Sequence, residues 1–241
     1  MRVLVTGGAG FVGSTIAIAW KREHGSDQVI SLDSLSRSGS ELSVERLNRG
    51  GVEFIQADAR ELNDLDGIGR LDLVIDCAAD PSVRRGYGGG IGALVQAHLQ
   101  SVTACLERCQ HDDAMLVFLS TSRVHPIAAL RSLPLEESGD RLVLTPGASG
   151  PGWSERGITE GFPLTGHRSP YGASKLCSEL LIEEYAQIHG LRAIVNRCGV
   201  IAGPWQMGKV DQGFPEANQA RSMAGLQSGV SPGVSSEVRR R

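Results

Sequence analysis

Residues 2–13 read R-V-L-V-T-G-G-A-G-F-V-G. An apolar run, Arg2–Thr6, stops at a glycine-rich turn, and a helical pattern follows at about 12–24. Gly7, Gly10 and Gly13 at such a strand–turn–helix junction let a pyrophosphate approach backbone N–H groups at a helix N-terminus. The next apolar run, Gln28–Asp33, ends on a carboxylate suited to the hydroxyls of an adenosine ribose. Asp33 would also repel a 2′-phosphate, which favours NAD over NADP, although Arg37 lies close by in the sequence. Gly7, Gly10, Phe11, Val12, Gly13 and Asp33 are therefore candidate dinucleotide-binding residues.

Working outward, short apolar runs recur at Val52–Gln56, Leu71–Ala78, Met115–Ser120 and Arg192–Arg197. Helical patterns lie between the runs, at about 40–49, 92–110 and 170–189. Continuously apolar strands alternating with helices predict an α/β fold, a doubly wound parallel sheet of Rossmann type with helices on both faces. In such a fold ligands sit at the carboxyl ends of the strands.

The last long helix starts at S-P-Y-G-A-S-K, residues 169–175. Ser169 is suited to cap it, Pro170 to its first turn and Gly190 to its end. Ala173, Leu176, Cys177, Leu180, Leu181 and Ile188 form an apolar stripe at helical spacing, expected to pack on the sheet. Tyr171 and Lys175, four apart, share a face one turn from each other. A phenol has an ordinary pKa of about 10, and a nearby ammonium favours the phenolate, so this pair suits the removal of hydroxyl protons.

The formal net charge is -3 and the only basic cluster is the three final arginines, which argues against nucleic acid as a main partner. No apolar run approaches the ~20 residues that span a bilayer, and no signal peptide is expected after Met1. The five cysteines, Cys77, Cys105, Cys109, Cys177 and Cys198, form no C-x-x-C pair. They read as unpaired thiols of a reducing cytoplasm, with no metal site.

The glycine motif, the strand end S-T-S at 120–122 and Y-G-A-S-K together resemble the extended short-chain dehydrogenase/reductase family, and within it the NAD-dependent epimerases and dehydratases of nucleotide-diphosphate sugars. The runs at 31–39 and 196–213 are similar to the branch containing CDP-sugar 2-epimerases. The resemblance implies NAD as resident cofactor and Thr121, Tyr171 and Lys175 as catalytic residues. Tyr171 would be the base, Lys175 the ligand of the nicotinamide ribose, and Thr121 the partner of the reacting hydroxyl. It further implies that Asp58 and Ala59 meet the adenine, that Ala78 and Ala79 pass the cofactor phosphates and ribose, and that Cys198 lies beside the nicotinamide. Relatives dimerise through the helices matching 92–110 and 170–189.

The sequence departs from the family pattern in places. His98 stands for an asparagine that helps order a proton-relay water, and reads first as a space filler and second as a partner of that water; His125 replaces a tyrosine, and Val200 replaces a polar sugar contact. Residues 126–168 are rich in Gly, Pro and Ser and read as an inserted loop without a strong strand or helix. Residues 1–213 are expected to form the NAD-binding domain. Residues 214–241 resemble nothing in the family's substrate-binding domain, which reads as largely missing, and suggest a disordered tail. The expected activity is epimerisation of a nucleotide-diphosphate sugar through a keto sugar. The alternatives are a dehydratase or decarboxylase of the same family, or an inactive NAD-binding domain.

Overall fold

In the computed structural model, which describes residues 1–65, 67–79 and 90–206, six parallel strands make the central sheet. They are β1 (Arg2–Thr6), β2 (Gln28–Asp33), β3 (Glu53–Gln56), β4 (Leu73–Asp76), β5 (Met115–Thr121) and β11 (Ala193–Cys198). Their order is β3-β2-β1-β4-β5-β11. The chain therefore winds outward from β1 in one direction and from β4 in the other, which opens a crevice between those two strands. The doubly wound fold read from the sequence is the one formed.

Both faces of the sheet are covered, and side chains alternate between them. Val3 and Val5 of β1 pack with Ala17 of α1 (Phe11–Glu23) and Leu47 of α2 (Leu42–Arg49). Leu4, between them, joins Leu116 and Phe118 of β5 and Val102, Cys105, Leu106 and Cys109 of α3 (Ile91–Asp112) on the other face. Each fully buried aliphatic of this kind contributes about 1.5–3 kcal/mol. Strand β4 is shorter than the apolar run 71–78 suggests. Asp76 Oδ1 accepts the Ala78 N–H at 3.0 Å, a side-chain turn that ends the ladder.

Helix α5 (Pro170–His189) has the expected punctuation. Ser169 Oγ accepts from Gly172 N at 3.1 Å, Pro170 sits in the first turn, and Gly190 closes the helix at φ +67°. Its orientation corrects the sequence reading. The buried face carries Gly172, Ser174, Lys175, Ser178, Glu179 and Ile182, whereas Ala173, Cys177, Leu180 and Ile188 of the apolar stripe are exposed. Specific bonds override the hydrophobic pattern: Lys175 Nζ donates to Leu119 O at 3.0 Å, and Glu179 accepts from Ser120 Oγ and pairs with Arg197 at 2.8 Å.

Residues 126–168 also differ from the expected structureless loop. They hold the short helix α4 (Ile127–Arg131) and a hairpin of β6 (Leu135–Ser138) and β7 (Arg141–Leu144). A small antiparallel sheet follows, of β8 (Ser149–Gly150), β9 (Trp153–Ser154) and β10 (Gly157–Ile158). The strands are two to four residues long and mostly exposed, so no apolar alternation announces them. Their signals are the turns Gly139–Asp140 and Pro151–Gly152.

The chain divides into two units, Met1–Gly199 and Val200–Arg241. Of the second, residues 200–206 are described and end in a turn closed by Gln206 N to Gly203 O at 3.3 Å. The boundary expected at 213 and the tail at 214–241 lie outside the described residues. Among the described residues, no helix is long and apolar enough to cross a membrane.

Candidate active site

The parallel sheet gathers most of the expected site residues along its carboxyl edge. Gly7 follows β1, Asp33 ends β2, Asp58 follows β3, Ala78 and Ala79 follow β4, Thr121 ends β5 and Cys198 ends β11. Thr121 and Cys198 are register partners in neighbouring strands.

Close approaches shape the glycine loop. Gly7 has φ +59°, and a Cβ there would lie 2.7 Å from Cys77 O and 2.8 Å from Ala78 Cα. A Cβ at Gly13 would overlap the Gly7 carbonyl oxygen. Gly8 is equally constrained, against Ser31 Oγ, a requirement the reading of Gly7, Gly10 and Gly13 missed although the Gly7–Gly8 doublet signals it. Gly10 is the N-cap of α1 and brings no side-chain cap. The first intrahelical bond runs from Ser14 N to Gly10 O at 3.0 Å, so helix geometry leaves the N–H groups of Phe11, Val12 and Gly13 open at the positive end of the helix.

Asp33 is tied to this loop. Its Oδ2 accepts from Ala9 N at 3.1 Å and its Oδ1 from Leu35 N at 2.9 Å. Asp58, the acid expected at the adenine, has partners of its own. It caps the 3₁₀ turn Ala59–Asp64 through Arg60 N at 2.9 Å, and its carboxylate takes the Arg60 Nε at 3.0 Å. The Arg60 guanidinium holds that carboxyl below the usual range. Ala59 packs into the apolar core, which leaves its backbone for any ligand.

On α5, Lys175 is 2 % exposed. Its ammonium lies 4.3 Å from the centroid of the Phe118 ring and donates to Leu119 O. Burial lowers its proton affinity, and the Asp76 carboxylate pulls the other way. Asp76 is buried, accepts from Thr6 Oγ1 at 2.6 Å and was not singled out in the sequence. The Tyr171 phenol is pushed up by burial, and the cation that opposes this rise is Arg123. The sequence reading gave that part to Lys175. The Lys175 ammonium here donates to the Leu119 carbonyl.

His98 does more than fill space. Its Nδ1 lies 2.8 Å from Ser174 Oγ, and its ring meets the Tyr171 ring edge-on at 5.7 Å between centroids. The Tyr171 carbonyl oxygen also lies 2.9 Å from Ser174 Oγ, within reach of that hydroxyl. Burial, reinforced by the Lys175 ammonium, pushes the His98 pKa down to about 4. A histidine harder to protonate folded than unfolded gives stability that is complete above about pH 6.5 and is lost as pH falls toward about 4. Histidine-ring NMR is expected to show no His98 titration above about pH 5, and denaturation midpoints should fall from pH 6.5 to 4 less steeply in His98→Gln.

A model of the NAD dependent epimerase/dehydratase family matches residues 3–230. The chain belongs to that family. It is 27% identical over 210 residues to dTDP-glucose 4,6-dehydratase of Mycobacterium tuberculosis, covering 86% of this chain and 55% of the relative. It is also 27% identical over 225 residues to CDP-paratose 2-epimerase of Salmonella typhi, covering 89% of this chain and 61% of the relative. Among solved structures, UDP-glucuronic acid 4-epimerase from Bacillus cereus, in complex with UDP-glucuronic acid and NAD, superposes with a TM-score of 0.65. That similarity is 25% in sequence and covers 86% of this chain and 59% of the other. The chain thus spans little more than half the length of the relatives it matches.

The family's cofactor is NAD, and the residues present fit it. The Gly7 and Gly13 contacts leave no room for a Cβ, the start of α1 offers open N–H groups for a pyrophosphate, and Asp33 stands at the end of β2.

Proposed function

We propose that this chain carries the NAD-binding and catalytic half of a nucleotide-diphosphate-sugar epimerase. The reading rests above all on one arrangement: the glycine loop after β1 and the Thr121 end of β5 share one sheet edge, on opposite sides of the crevice where strand order reverses. Gly7, Gly10, Phe11, Val12 and Gly13 would hold the pyrophosphate. Asp33 would hold the adenosine ribose, Asp58, Ala59, Ala78 and Ala79 would line the adenine and phosphate path, and Lys175 and Cys198 would flank the nicotinamide. NAD held there would supply a reversible hydride acceptor beside the sugar.

The protein's own part is to move a proton and orient the sugar. Thr121 Oγ1 accepts the Arg123 N–H at 3.2 Å, which leaves its own hydrogen free to donate to a sugar oxygen. Tyr171, as phenolate, would take the proton of that sugar hydroxyl, so that loss of a proton and a hydride gives a keto sugar. Return of the pair to the opposite face, or inversion at a neighbouring acidified carbon, completes a redox-neutral epimerisation. Ser122 and Arg123 follow Thr121, and neither supplies the acid needed to expel water, which favours epimerisation over dehydration.

The test is to incubate the chain and NAD with CDP- and UDP-hexoses in deuterium oxide. Epimerised sugar, with NADH absorbance that appears only transiently, supports the reading. A dehydrated 4-keto-6-deoxy product would replace it with the dehydratase reading. We further assign residues 1–213 to the dinucleotide-binding domain, the protein to the cytoplasm, and the exposed Ala173, Cys177, Leu180 and Ile188 of α5 to a homodimer contact.

A further inference from the structure

We infer that His98 is a positioning residue of this site: tethered to Ser174, its imidazole sets the direction in which the Tyr171 side chain points. This rests on the proposal that Tyr171 takes the substrate proton.

The need for such a residue follows from where Tyr171 sits. It is the second residue of α5, so no preceding helical turn restricts its χ1 torsion, as a turn does for residues farther along a helix. Only the backbone is fixed there. Ser169 Oγ accepts from Gly172 N at 3.1 Å, and a Cβ at Gly172 would overlap the Arg123 carbonyl oxygen. A base must keep its oxygen open to the substrate, so the ring has to be held by its sides.

Helix α3 supplies that hold. His98 lies within this helix, is 6 % exposed, and meets the Tyr171 ring edge-on, with centroids 5.7 Å apart and planes at 79°. Edge against face is an arrangement that aromatic pairs prefer. The imidazole is itself oriented, because its Nδ1 lies 2.8 Å from Ser174 Oγ. Ser174 is fully buried one turn after Tyr171, and its Oγ is also 2.9 Å from Tyr171 O. A small frame is thus closed between α3 and α5, with the tyrosine ring against one side of it. A side chain that only filled space would need neither the ring edge nor the tether. Burial pushes the His98 pKa down to about 4, so the frame undergoes no charge change near neutral pH. A base displaced by about 1 Å from its line to the reacting hydroxyl can cost about a hundredfold in rate, and the frame opposes that displacement.

The test reads the torsion directly. The whole chain is labelled isotopically in nitrogen throughout and in carbon at its three tyrosines, Tyr87, Tyr171 and Tyr185. Three-bond NMR couplings from the ring Cγ to the amide nitrogen and the carbonyl carbon then report χ1, and Tyr171→Phe assigns the set belonging to residue 171. The parent is expected to show the couplings of one staggered rotamer. In His98→Leu, which keeps most of the bulk, they should move to averaged values, as they should in Ser174→Ala, which releases the imidazole. Adding Ser174→Ala to His98→Leu should change nothing further. Averaged couplings in the parent, or one-rotamer couplings retained in His98→Leu, overturn the inference. So does a Ser174→Ala effect of equal size in both backgrounds, which would show Ser174 acting on the Tyr171 carbonyl alone. If His98→Leu does not fold, Ser174→Ala decides by itself: averaging supports the inference and unchanged couplings overturn it. No substrate or cofactor takes part, so the outcome is independent of whether Tyr171 is the base, which the turnover of Tyr171→Phe decides.

Discussion

Tyr171→Phe is expected to lower turnover of a nucleotide-diphosphate sugar by about a hundred- to ten-thousand-fold, the usual range for loss of a positioned acid–base group. NAD affinity should change little, because the ring and its edge-on contact with His98 survive. Steady-state kinetics and calorimetry on the same preparation separate the two effects. Lys175→Met should behave differently. That ammonium is buried against Leu119 O and Phe118, and its loss would remove the proposed nicotinamide-ribose contact and leave the Asp76 carboxylate without its nearby cation. Both NAD binding and turnover should fall. Near-normal turnover in Tyr171→Phe would show that the proton goes elsewhere.

The second large effect is expected in the glycine loop, where two neighbouring glycines should fail in different ways. A Cβ at Gly13 meets backbone atoms of Gly7 and Gly8, which cannot swing aside. Gly13→Val should therefore cost stability of about 1–3 kcal/mol by overpacking and weaken NAD binding by about tenfold to a hundredfold as the loop shifts. At Gly10 the added atom would lie 3.0 Å from Gly7 O, a tight contact that a small movement relieves. Gly10→Trp should accordingly leave the denaturation midpoint almost unchanged while blocking the pyrophosphate path and abolishing binding. If both variants lose stability equally, Gly10 serves the fold and not the ligand.

How far the sequence carries the argument depends on what sets each feature. Strands β1, β2 and β5 are buried and continuously apolar, so composition alone locates them and their alternation with helices gives the sheet. The glycine spacing and Asp33 are equally legible, because phosphate approach and ribose recognition impose residue types at fixed offsets. Helix α5 marks the limit of pattern reading. Its ends follow from Ser169, Pro170 and Gly190, but its buried face is chosen by Lys175, Glu179 and Ser174, whose partners Leu119, Arg197, Ser120 and His98 come from distant parts of the chain. The need for glycine at 172 is hidden in the same manner, since the clash that demands it is with Arg123, 49 positions earlier. The hairpins of 126–168 escape notice for another reason: short exposed strands bury too little to leave a hydrophobic signature.

Asp33 receives two main-chain donors, one from within the glycine loop and one from the turn beyond β2. A redesign of coenzyme preference would begin at this position, exchanging the acid for a small neutral residue to admit a 2′-phosphate. Here the exchange would also unfasten Ala9 from the end of β2 and slacken the phosphate cradle itself. Selectivity and cradle rigidity are thus one variable. A changed preference would have to be accompanied by a new acceptor for the Ala9 amide, or the altered enzyme would gain tolerance for NADP only by gripping every dinucleotide more loosely.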